Sequence, residues 1–290
     1  MGAALFSRFA VARRVFLDAD GLLGYKISKY CFEGPAAVLT QTLHAQPALF
    51  TCNAAALAVL QDLGIEPGMT AGHSVGEFNA LVAGGVMTFS QALDAVRHRA
   101  ELMAKVRRPG GMLAVGGASA GEIEGILKSI DSNSRPSIAV YNSPYNTVLS
   151  GDEAALESFQ RVFKGSRGRL SRLKVSHAFH SPLMAEVVSV WRERVASLKL
   201  RDPAIPIVLN TTGKPSLDAN EIRSAMVDQI TAAVRWRQTV EFFASAHIML
   251  LVEVGASSTL ARLARQTCPD LRVATLAEPW AAERLAEENL

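Results

Sequence analysis

The pentapeptide Gly72-His73-Ser74-Val75-Gly76 places a serine in the middle of a glycine-flanked turn. A short extended stretch, Met69-Thr70-Ala71, precedes it, and a helix-competent run at Glu77–Ala83 follows it. Small neighbours let the backbone bend sharply between a strand and a helix, and such a turn leaves the serine hydroxyl exposed above the sheet. The pattern predicts a nucleophilic serine, although a glycine-rich turn with an incidental serine would give the same five residues.

The composition is that of a globular protein with ample material for a core. The 290 residues are 49% hydrophobic and 20% charged, and the formal net charge is +3. This length suits one large domain, or a large domain with a small one inserted. The three cysteines lie far apart without paired spacing, so neither a disulfide framework nor a metal site is predicted.

Charge and hydropathy patterns indicate neither a nucleic-acid partner nor a membrane. No basic stripe is interleaved with aromatic residues, so nucleic-acid binding is not expected. No apolar run is expected to reach membrane-spanning length and no signal peptide opens the chain, which predicts a soluble, cytoplasmic protein. A modest basic cluster between Lys164 and Lys174 is compatible with a solvated face or with a docking patch for an acidic partner.

Residues 112–175 have the pattern of a small α+β unit. Four strand-like segments and two helical segments follow one another in this order: Met112–Val115, helix Ala120–Ile130, Ser137–Tyr141, Thr147–Ser150, helix Glu153–Phe163 and Leu170–Val175. The order β-α-β-β-α-β within about sixty residues is the ferredoxin-like arrangement.

The segments on both sides of this unit alternate between strands and helices. A helix is predicted at Gln46–Leu63, with Pro47 suited to its first turn. The other predicted elements are apolar strands at Ile205–Asn210 and Ile248–Val254, and helices at Glu221–Thr231, Arg237–Ala246 and Thr259–Gln266. This alternation implies a parallel sheet covered on both faces. We predict an α/β fold: a large, discontinuous parallel-sheet domain of α/β-hydrolase-like type (1–110 and 177–290) with an inserted ferredoxin-like subdomain (111–176).

A nucleophilic serine needs a base, and two of the six histidines are candidates. His73 adjoins the serine, where neighbouring side chains point apart, so it is expected to shape the turn. His177 and His180 lie where the chain re-enters the large domain, a place where two subdomains form a cleft. The remaining three, His44, His98 and His247, are interpreted as structural or solvent-facing.

Arg99 is a charge on the apolar side of a predicted helix. The helix Phe89–Val106 has an arc of apolar residues at helical spacing, and Arg99 falls within that arc, toward one edge. A buried guanidinium needs a partner. A structural salt bridge and a bidentate clamp for a substrate carboxylate both satisfy this requirement.

Several motifs in order resemble the malonyl-CoA:acyl carrier protein transacylases, a family that includes the acyltransferase domains of polyketide synthases. The main ones are Gly72–Glu77, Arg99-Ala100-Glu101-Leu102-Met103, and His177-Ala178-Phe179-His180-Ser181-Pro182. Supporting matches are Gln46-Pro47-Ala48-Leu49, Asn142-Ser143-Pro144, Gln229 before Val234-Arg235-Trp236, and Glu253-Val254-Gly255. The resemblance extends over essentially the whole chain.

The resemblance implies a role for each matching residue. Ser74 is expected to carry the acyl group, His180 to act as base and then acid, and the backbone carbonyl of Gln229 to orient the imidazole. Arg99 is expected to pair with the malonyl carboxylate. The Val75 backbone N–H is expected to bind the oxyanion at the start of a helix.

The same resemblance implies the ligands and the selectivity. The donor is malonyl-CoA, the acceptor is a phosphopantetheinylated acyl carrier protein, and no bound cofactor is expected. Three further substrate-binding residues are implied: Gln46, His177 and Phe179. Phe179 leaves little room for a 2-methyl branch, although sterics for one methyl group contribute only about 1–3 kcal/mol.

The sequence departs from the family pattern at its start. Members begin with a strand and a glycine- and glutamine-rich loop of the form G-Q-G-S-Q that supplies a second oxyanion donor. The present sequence opens at Met1-Gly2-Ala3-Ala4, matching the helix just after that loop. We expect the coding sequence upstream of Met1 to supply both.

Two other functions fit parts of the pattern. A serine hydrolase would use the same nucleophile and base and release the acyl group to water, but a carboxylate clamp at Arg99 has no evident purpose there. A non-catalytic docking module for a carrier protein is the third possibility, suggested by the absent loop.

Overall fold

The computed structural model describes residues 1–164, 168–278 and 280–287 and contains both helices and short strands. The elements before the predicted ferredoxin-like unit are mainly helical. They are α1 (Ala3–Arg8), α2 (Ala10–Leu23), α3 (Ile27–Glu33), α4 (Ala36–Leu39), α5 (Thr42–Asp62), β1 (Thr70–Ala71), α6 (Gly76–Ala83) and α7 (Phe89–Ala104).

The middle of the chain has the predicted β-α-β-β-α-β order. Its elements are β2 (Gly111–Gly116), α8 (Ala120–Ser129), β3 (Ser137–Ser143), β4 (Asn146–Gly151), α9 (Glu153–Phe163) and β5 (Arg169–Arg172). The four strands form one antiparallel sheet in the order β3-β4-β2-β5, so the first and third strands of the unit lie at its centre. This is the ferredoxin-like sheet order that the element sequence predicts.

The last part of the chain alternates again between strand and helix. It consists of a 3₁₀ helix (Pro182–Val187), α10 (Val188–Ala196), β6 (Ile207–Val208), β7 (Pro215–Ser216), α11 (Ala219–Asp228), α12 (Trp236–Ser245), β8 (Leu251–Glu253), α13 (Thr259–Thr267), β9 (Val273–Thr275) and α14 (Ala281–Glu287).

Parallel pairing joins strands that are distant in the sequence. β1 pairs in parallel with β6, with Thr70 opposite Ile207 and Ala71 opposite Val208, and β7 pairs antiparallel with β6. β8 and β9 form a second, two-stranded parallel sheet. The parallel strands are therefore shorter than the apolar segments suggest, and they lie in two sheets. β1 and β6 both end just before the residues of the site.

The helix predicted at Gln46–Leu63 begins four residues earlier, at Thr42. α5 starts at Thr42 and contains Pro47 in its interior, with Thr42 and Gln46 buried on the same side. Packing of α5 against α2 and α7 extends the helix through the proline, although Pro47 cannot donate the hydrogen bond expected at that point.

The length and composition of α5 also correct a prediction. This helix is long and apolar enough to cross a membrane, which the sequence pattern did not suggest for any run. However, 67% of its most apolar window is buried within the protein. The apolar residues of α5 are therefore core residues of this fold.

Buried apolar residues form separate cores in the two parts of the chain. One cluster lies between helices α8 and α9 and the ferredoxin-like sheet, including Leu113, Phe159 and Phe163. A much larger cluster gathers around α2, α5 and α7. A third joins Met112 and Val140 to Trp236 and Val240, and so links the two parts. The boundaries 1–110 with 177–290, and 111–176, stay a prediction.

Candidate active site

The pentapeptide forms the sharp turn between β1 and α6. Ser74 has a φ of 52°, a left-handed conformation that is uncommon for a residue with a side chain. A Cβ on Gly72 would lie 2.0 Å from the backbone carbonyl of Gly76, whereas one on Gly76 would meet nothing within 4 Å. The tightness of the turn therefore requires glycine at position 72.

The Ser74 hydroxyl lies against the His180 imidazole. Ser74 Oγ is 2.7 Å from His180 Nε2, and His180 Nδ1 is 2.8 Å from the backbone carbonyl oxygen of Gln229. A carbonyl only accepts, so Nδ1 carries the proton and Nε2 presents its lone pair to the hydroxyl. α11 ends at Asp228, which leaves the Gln229 carbonyl free of an intrahelical partner and able to accept this bond.

Burial keeps this histidine in its basic form. Desolvation lowers the pKa of His180 to about 3, and the positive charge of Arg99 lowers it further, while the bond to the Gln229 carbonyl acts in the opposite direction. At neutral pH the imidazole is therefore uncharged and able to accept a proton.

Arg99 extends from α7 to the same point. α7 begins with a capping box in which Thr88 accepts from the backbone of Gln91, and the helix carries Arg99 fully into the interior. Arg99 Nη2 lies 3.5 Å from Ser74 Oγ. The guanidinium donates to two neutral amides: Nη1 to Gln46 Oε1 at 2.5 Å, and Nη2 to Gln229 Oε1 at 2.8 Å.

The charge of Arg99 has no directly bonded counter-charge among residues 1–164, 168–278 and 280–287. Burial lowers the pKa of Arg99 to about 10, and nearby Glu77 acts against that shift. The guanidinium therefore stays charged at neutral pH. A buried cation held only by neutral acceptors, within reach of a nucleophile, is arranged to receive an anionic ligand.

The backbone N–H of Val75 is oriented by the start of α6. Val75 is the N-cap residue of this helix, with a φ of −58°. No acceptor in the described part of the chain receives its N–H. An unpaired donor one residue after the serine, at the positive end of a helix, is suited to binding an oxyanion.

The other predicted histidines contact groups away from the serine. His73 Nε2 donates to Asn142 Oδ1 at 3.0 Å, which ties the turn to the ferredoxin-like sheet. His177 has one ring nitrogen 2.7 Å from Ser176 Oγ and the other 3.2 Å from the backbone carbonyl of Val106. Its ring lies 5.9 Å from that of Phe179, which packs between two of the buried clusters.

The basic cluster between Lys164 and Lys174 is only partly described, because Arg167 lies outside the described residues. Arg172, within the cluster, pairs with Glu153 at the end of β5. A solvated face or a docking patch for an acidic partner stays a prediction for this cluster.

Comparison with known proteins places this arrangement in a family. The family model of the acyl transferase domain matches residues 1–286. The chain belongs to the acyl transferase family. Malonyl CoA-acyl carrier protein transacylase from Synechocystis sp. is 31% identical over 96% of this chain and 92% of the relative. Polyketide biosynthesis protein ThaF of Burkholderia thailandensis is 35% identical over 93% of this chain, which spans only 23% of that protein's length.

Solved structures of this acyl transferase family share the whole fold. An acyl-carrier-protein-S-malonyltransferase from Bartonella henselae superposes with a TM-score of 0.95 at 32% identity, covering 99% of this chain and 94% of the other. The complex PlMCAT:AntF, a type II PKS acyl-carrier protein with its malonyl-transacylase, gives 0.96 at 30% identity, covering 100% and 95%. The predicted family resemblance and α/β fold class are confirmed.

Two polar residues of this acyl transferase were not predicted for the site. Asn210 follows β6 and accepts the Ser74 N–H at 2.8 Å through Oδ1. Glu77, in the first turn of α6, accepts from both the backbone N–H and the side-chain amide of Asn210, and from Gln229 Nε2. Burial raises the pKa of Glu77 above its ordinary value, while these donors act to lower it.

Proposed function

We propose that this chain is an S-malonyltransferase, which moves a malonyl group from malonyl-CoA to the phosphopantetheine thiol of an acyl carrier protein. The observation that carries the proposal is the buried Arg99 guanidinium, held by neutral amides 3.5 Å from Ser74 Oγ. A malonyl thioester has a free carboxylate close to its reacting carbonyl. A clamp at this position therefore selects malonyl over acyl groups that lack the charge.

In the acylation half, Ser74 Oγ attacks the thioester carbonyl while His180 Nε2 takes the hydroxyl proton. The Val75 N–H donates to the oxyanion that forms. The carbon–sulfur bond then breaks, and the same Nε2–H returns the proton to the departing CoA sulfur. The Gln229 carbonyl holds the imidazole in the required tautomer in both directions.

In the transfer half, the steps run in reverse with a new thiol. His180 takes the proton of the carrier's phosphopantetheine thiol, and the sulfur attacks the ester carbonyl. The carbon–oxygen bond to Ser74 breaks, and Ser74 Oγ recovers the proton from His180. Each half ends with a neutral imidazole and an intact thiol or hydroxyl, so no bound cofactor is needed.

Two residues are expected to select the acyl group: Arg99 by charge and Phe179 by size. The Arg99 guanidinium donates to the side-chain oxygens of Gln46 and Gln229. A substrate carboxylate can take the place of either oxygen as the acceptor. Phe179 lies beside His177 on the segment that carries His180, with the ring centroids 5.9 Å apart. We expect the bulk of Phe179 to restrict branching at the 2-position. We place the protein in the cytoplasm, where malonyl-CoA and carrier proteins of fatty acid or polyketide biosynthesis occur.

Intact-mass spectrometry tests this function directly. After incubation with malonyl-CoA, we expect a malonyl adduct on Ser74 that persists in buffer and disappears when a phosphopantetheinylated carrier protein is added, with malonyl appearing on the carrier. Rapid release of free malonate without a carrier would show a hydrolase. Complete absence of an adduct, on protein shown to be folded, would favour a docking module.

Arg99→Ala is expected to reverse the acyl preference. Malonyl transfer should fall about 10- to 100-fold because a charge-assisted pair is lost, while acetyl-CoA should be used as well as before or better. The measurement is kcat/KM for both donors, with Arg97→Ala on the exposed side of α7 as the matched control. Equal losses for both donors would assign Arg99 a structural role.

The acidic side of the pH profile is expected to be flat. His180 acts when it is unprotonated, and its pKa of about 3 leaves it so throughout the mildly acidic range. The malonylation rate of Ser74 at pH 5.5 should stay within about twofold of its value at pH 7.5. A base with the ordinary pKa of about 6.5 would lose roughly 90% of its activity at pH 5.5, and an inflection there would contradict the assignment.

Stability must be followed in the same experiment. Unfolded chains protonate this histidine below about pH 6.5, whereas the folded protein does so only near pH 3. The stability that depends on the neutral imidazole is therefore lost as the pH falls from about 6.5 toward 3. Circular dichroism at each pH distinguishes unfolding from a true titration of the base.

A further inference from the structure

The Ser74 turn needs an external support. Its left-handed φ of 52° is unfavourable for a residue with a side chain, and such conformations persist where the surroundings fix them. The parallel pairing of β1 with β6 ends at Ala71 and Val208, before the chain reaches the serine. Beyond that point the backbone of the turn has to be held by something other than a strand.

The side chain of Asn210 supplies this support. Asn210 lies two residues beyond Val208, in line with β6. Its Oδ1 accepts the Ser74 N–H at 2.8 Å, and its Nδ2 donates to the Gly72 carbonyl at 2.6 Å. One amide group thus bridges the residues on either side of His73, continuing the pairing of β1 and β6 through the bend.

Glu77 fixes the amide in turn. Glu77 Oε1 accepts from Asn210 N at 2.8 Å and from Asn210 Nδ2 at 2.9 Å, and both residues are buried. The Asn210 carbonyl accepts from the Arg235 N–H at 2.8 Å, so every polar group of Asn210 is used. Ser74 N–H can only donate, and the Gly72 carbonyl can only accept. The orientation of the amide is therefore determined by its partners.

We propose that Asn210 and Glu77 are positioning residues that hold Ser74 Oγ in its reactive place against His180. This inference deepens the proposed function and rests on Ser74 being the nucleophile. Asn210 acts on the serine backbone, and Glu77 acts through Asn210. The side-chain bonds of Asn210 go to the turn and to Glu77, so its loss affects the rate at which Ser74 reacts and leaves the affinity for the donor and the choice between acyl groups unchanged. Glu77 also accepts from Gln229, which binds Arg99, so loss of Glu77 affects the substrate clamp as well.

The sharpest test exploits the direction of the hydrogen bonds. Asn210→Asp places a carboxylate oxygen against Glu77 Oε1 and the Gly72 carbonyl, where two acceptors repel. Glu77→Gln alone retains an acceptor for Asn210. In the double variant N210D/E77Q, the new amide nitrogen in the place of Oε1 can donate to the new carboxylate, but the backbone N–H of residue 210 then loses its acceptor, so the rescue is expected to be partial. We expect N210D to slow Ser74 reaction about 100-fold, and the double variant to recover at least about tenfold of that loss.

Two readouts are needed, together with controls. The first is the pseudo-first-order rate of Ser74 modification by a fluorophosphonate, which reports the nucleophile whatever its natural acyl group. The second is single-turnover malonylation, fitted for rate and donor affinity, alongside acetyl-CoA. Asn220→Ala, at an exposed position of α11, is the matched control. Val195→Ala, in the core, shows what lowered stability alone does to both rates.

The outcomes test the positioning role of Asn210 and Glu77 separately from the proposed transferase function. Rescue of the fluorophosphonate rate in N210D/E77Q, with donor affinity and the malonyl-to-acetyl ratio of N210D within about threefold of wild type, supports the inference. A double variant as slow as N210D or slower, or losses that track melting temperature as in Val195→Ala, would overturn it. A wild-type protein that reacts with the fluorophosphonate but not with malonyl-CoA would refute the proposed function, while the rescue still decides the roles of Asn210 and Glu77.

Discussion

Ser74→Ala is expected to abolish the covalent adduct with malonyl-CoA and to reduce transfer to the carrier protein to background. The reason is geometric, since Ser74 Oγ is the hydroxyl that lies 2.7 Å from the unprotonated Nε2 of His180 and 3.5 Å from Arg99. Removing one oxygen atom takes away the bond-forming group and leaves the base and the clamp in place. Intact mass after incubation with malonyl-CoA gives the result without any assumption about the acceptor.

Ser176→Ala is the matched control for this substitution. Ser176 also contacts an imidazole, with its Oγ 2.7 Å from His177 Nδ1, but it is exposed. We expect its variant to form the adduct at an unchanged rate. Labelling that persists in Ser74→Ala, or disappears in Ser176→Ala, would place the nucleophile elsewhere.

His180→Ala is expected to slow acylation by about 100- to 10,000-fold, the range for loss of a general base. Donor binding should change little, because Arg99 and its amide partners stay in place. Single-turnover kinetics with malonyl-CoA separates the two quantities. The Ser74 hydroxyl would remain present but would have no group to take its proton.

His177→Ala provides the comparison, since the two histidines lie three residues apart on one segment. Both ring nitrogens of His177 are engaged by Ser176 and the Val106 carbonyl, so its loss should alter pocket shape and donor selectivity with a modest effect on rate. A larger rate loss for His177→Ala than for His180→Ala would mean that the base has been assigned to the wrong histidine.

The proposed reacting groups could be predicted from the sequence because their chemistry requires particular residue types. The glycine-flanked serine, two histidines at the return to the large domain, and an arginine on the apolar side of a helix each stand out locally. The family resemblance then favours His180 over His177 and a carboxylate clamp over a structural salt bridge at Arg99. The structure brings Ser74, His180 and Arg99 together, with the Gln229 carbonyl behind the imidazole. The order of the ferredoxin-like strands followed from hydropathy alternation and short turns in the same local way.

The supporting groups could not be predicted in this way, because their role depends on contacts far apart in the chain. Asn210 lies 136 residues from Ser74, and the sequence pattern predicts only that it ends an apolar strand. Glu77 resembles the acidic residue that often opens a helix. The signal available was weak: a buried strand ending in an amide, and a carboxylate inside an apolar run. The start of α5 was missed for a related reason, since tertiary packing prevailed over the preference of Pro47.

The main-chain carbonyl of Gln229, which orients His180, makes the orientation of this histidine less sensitive to mutation. Many enzymes with a serine nucleophile place a carboxylate side chain behind the catalytic histidine. A single nucleotide substitution in the gene can remove that side chain. Here the acceptor belongs to the main chain at the end of α11, and every amino acid at position 229 would supply it. The side chain of Gln229 meanwhile contacts Arg99 and Glu77. If Arg99 binds the substrate carboxylate as proposed, a substitution at position 229 can change the acyl preference through the side chain while the main-chain carbonyl continues to orient His180.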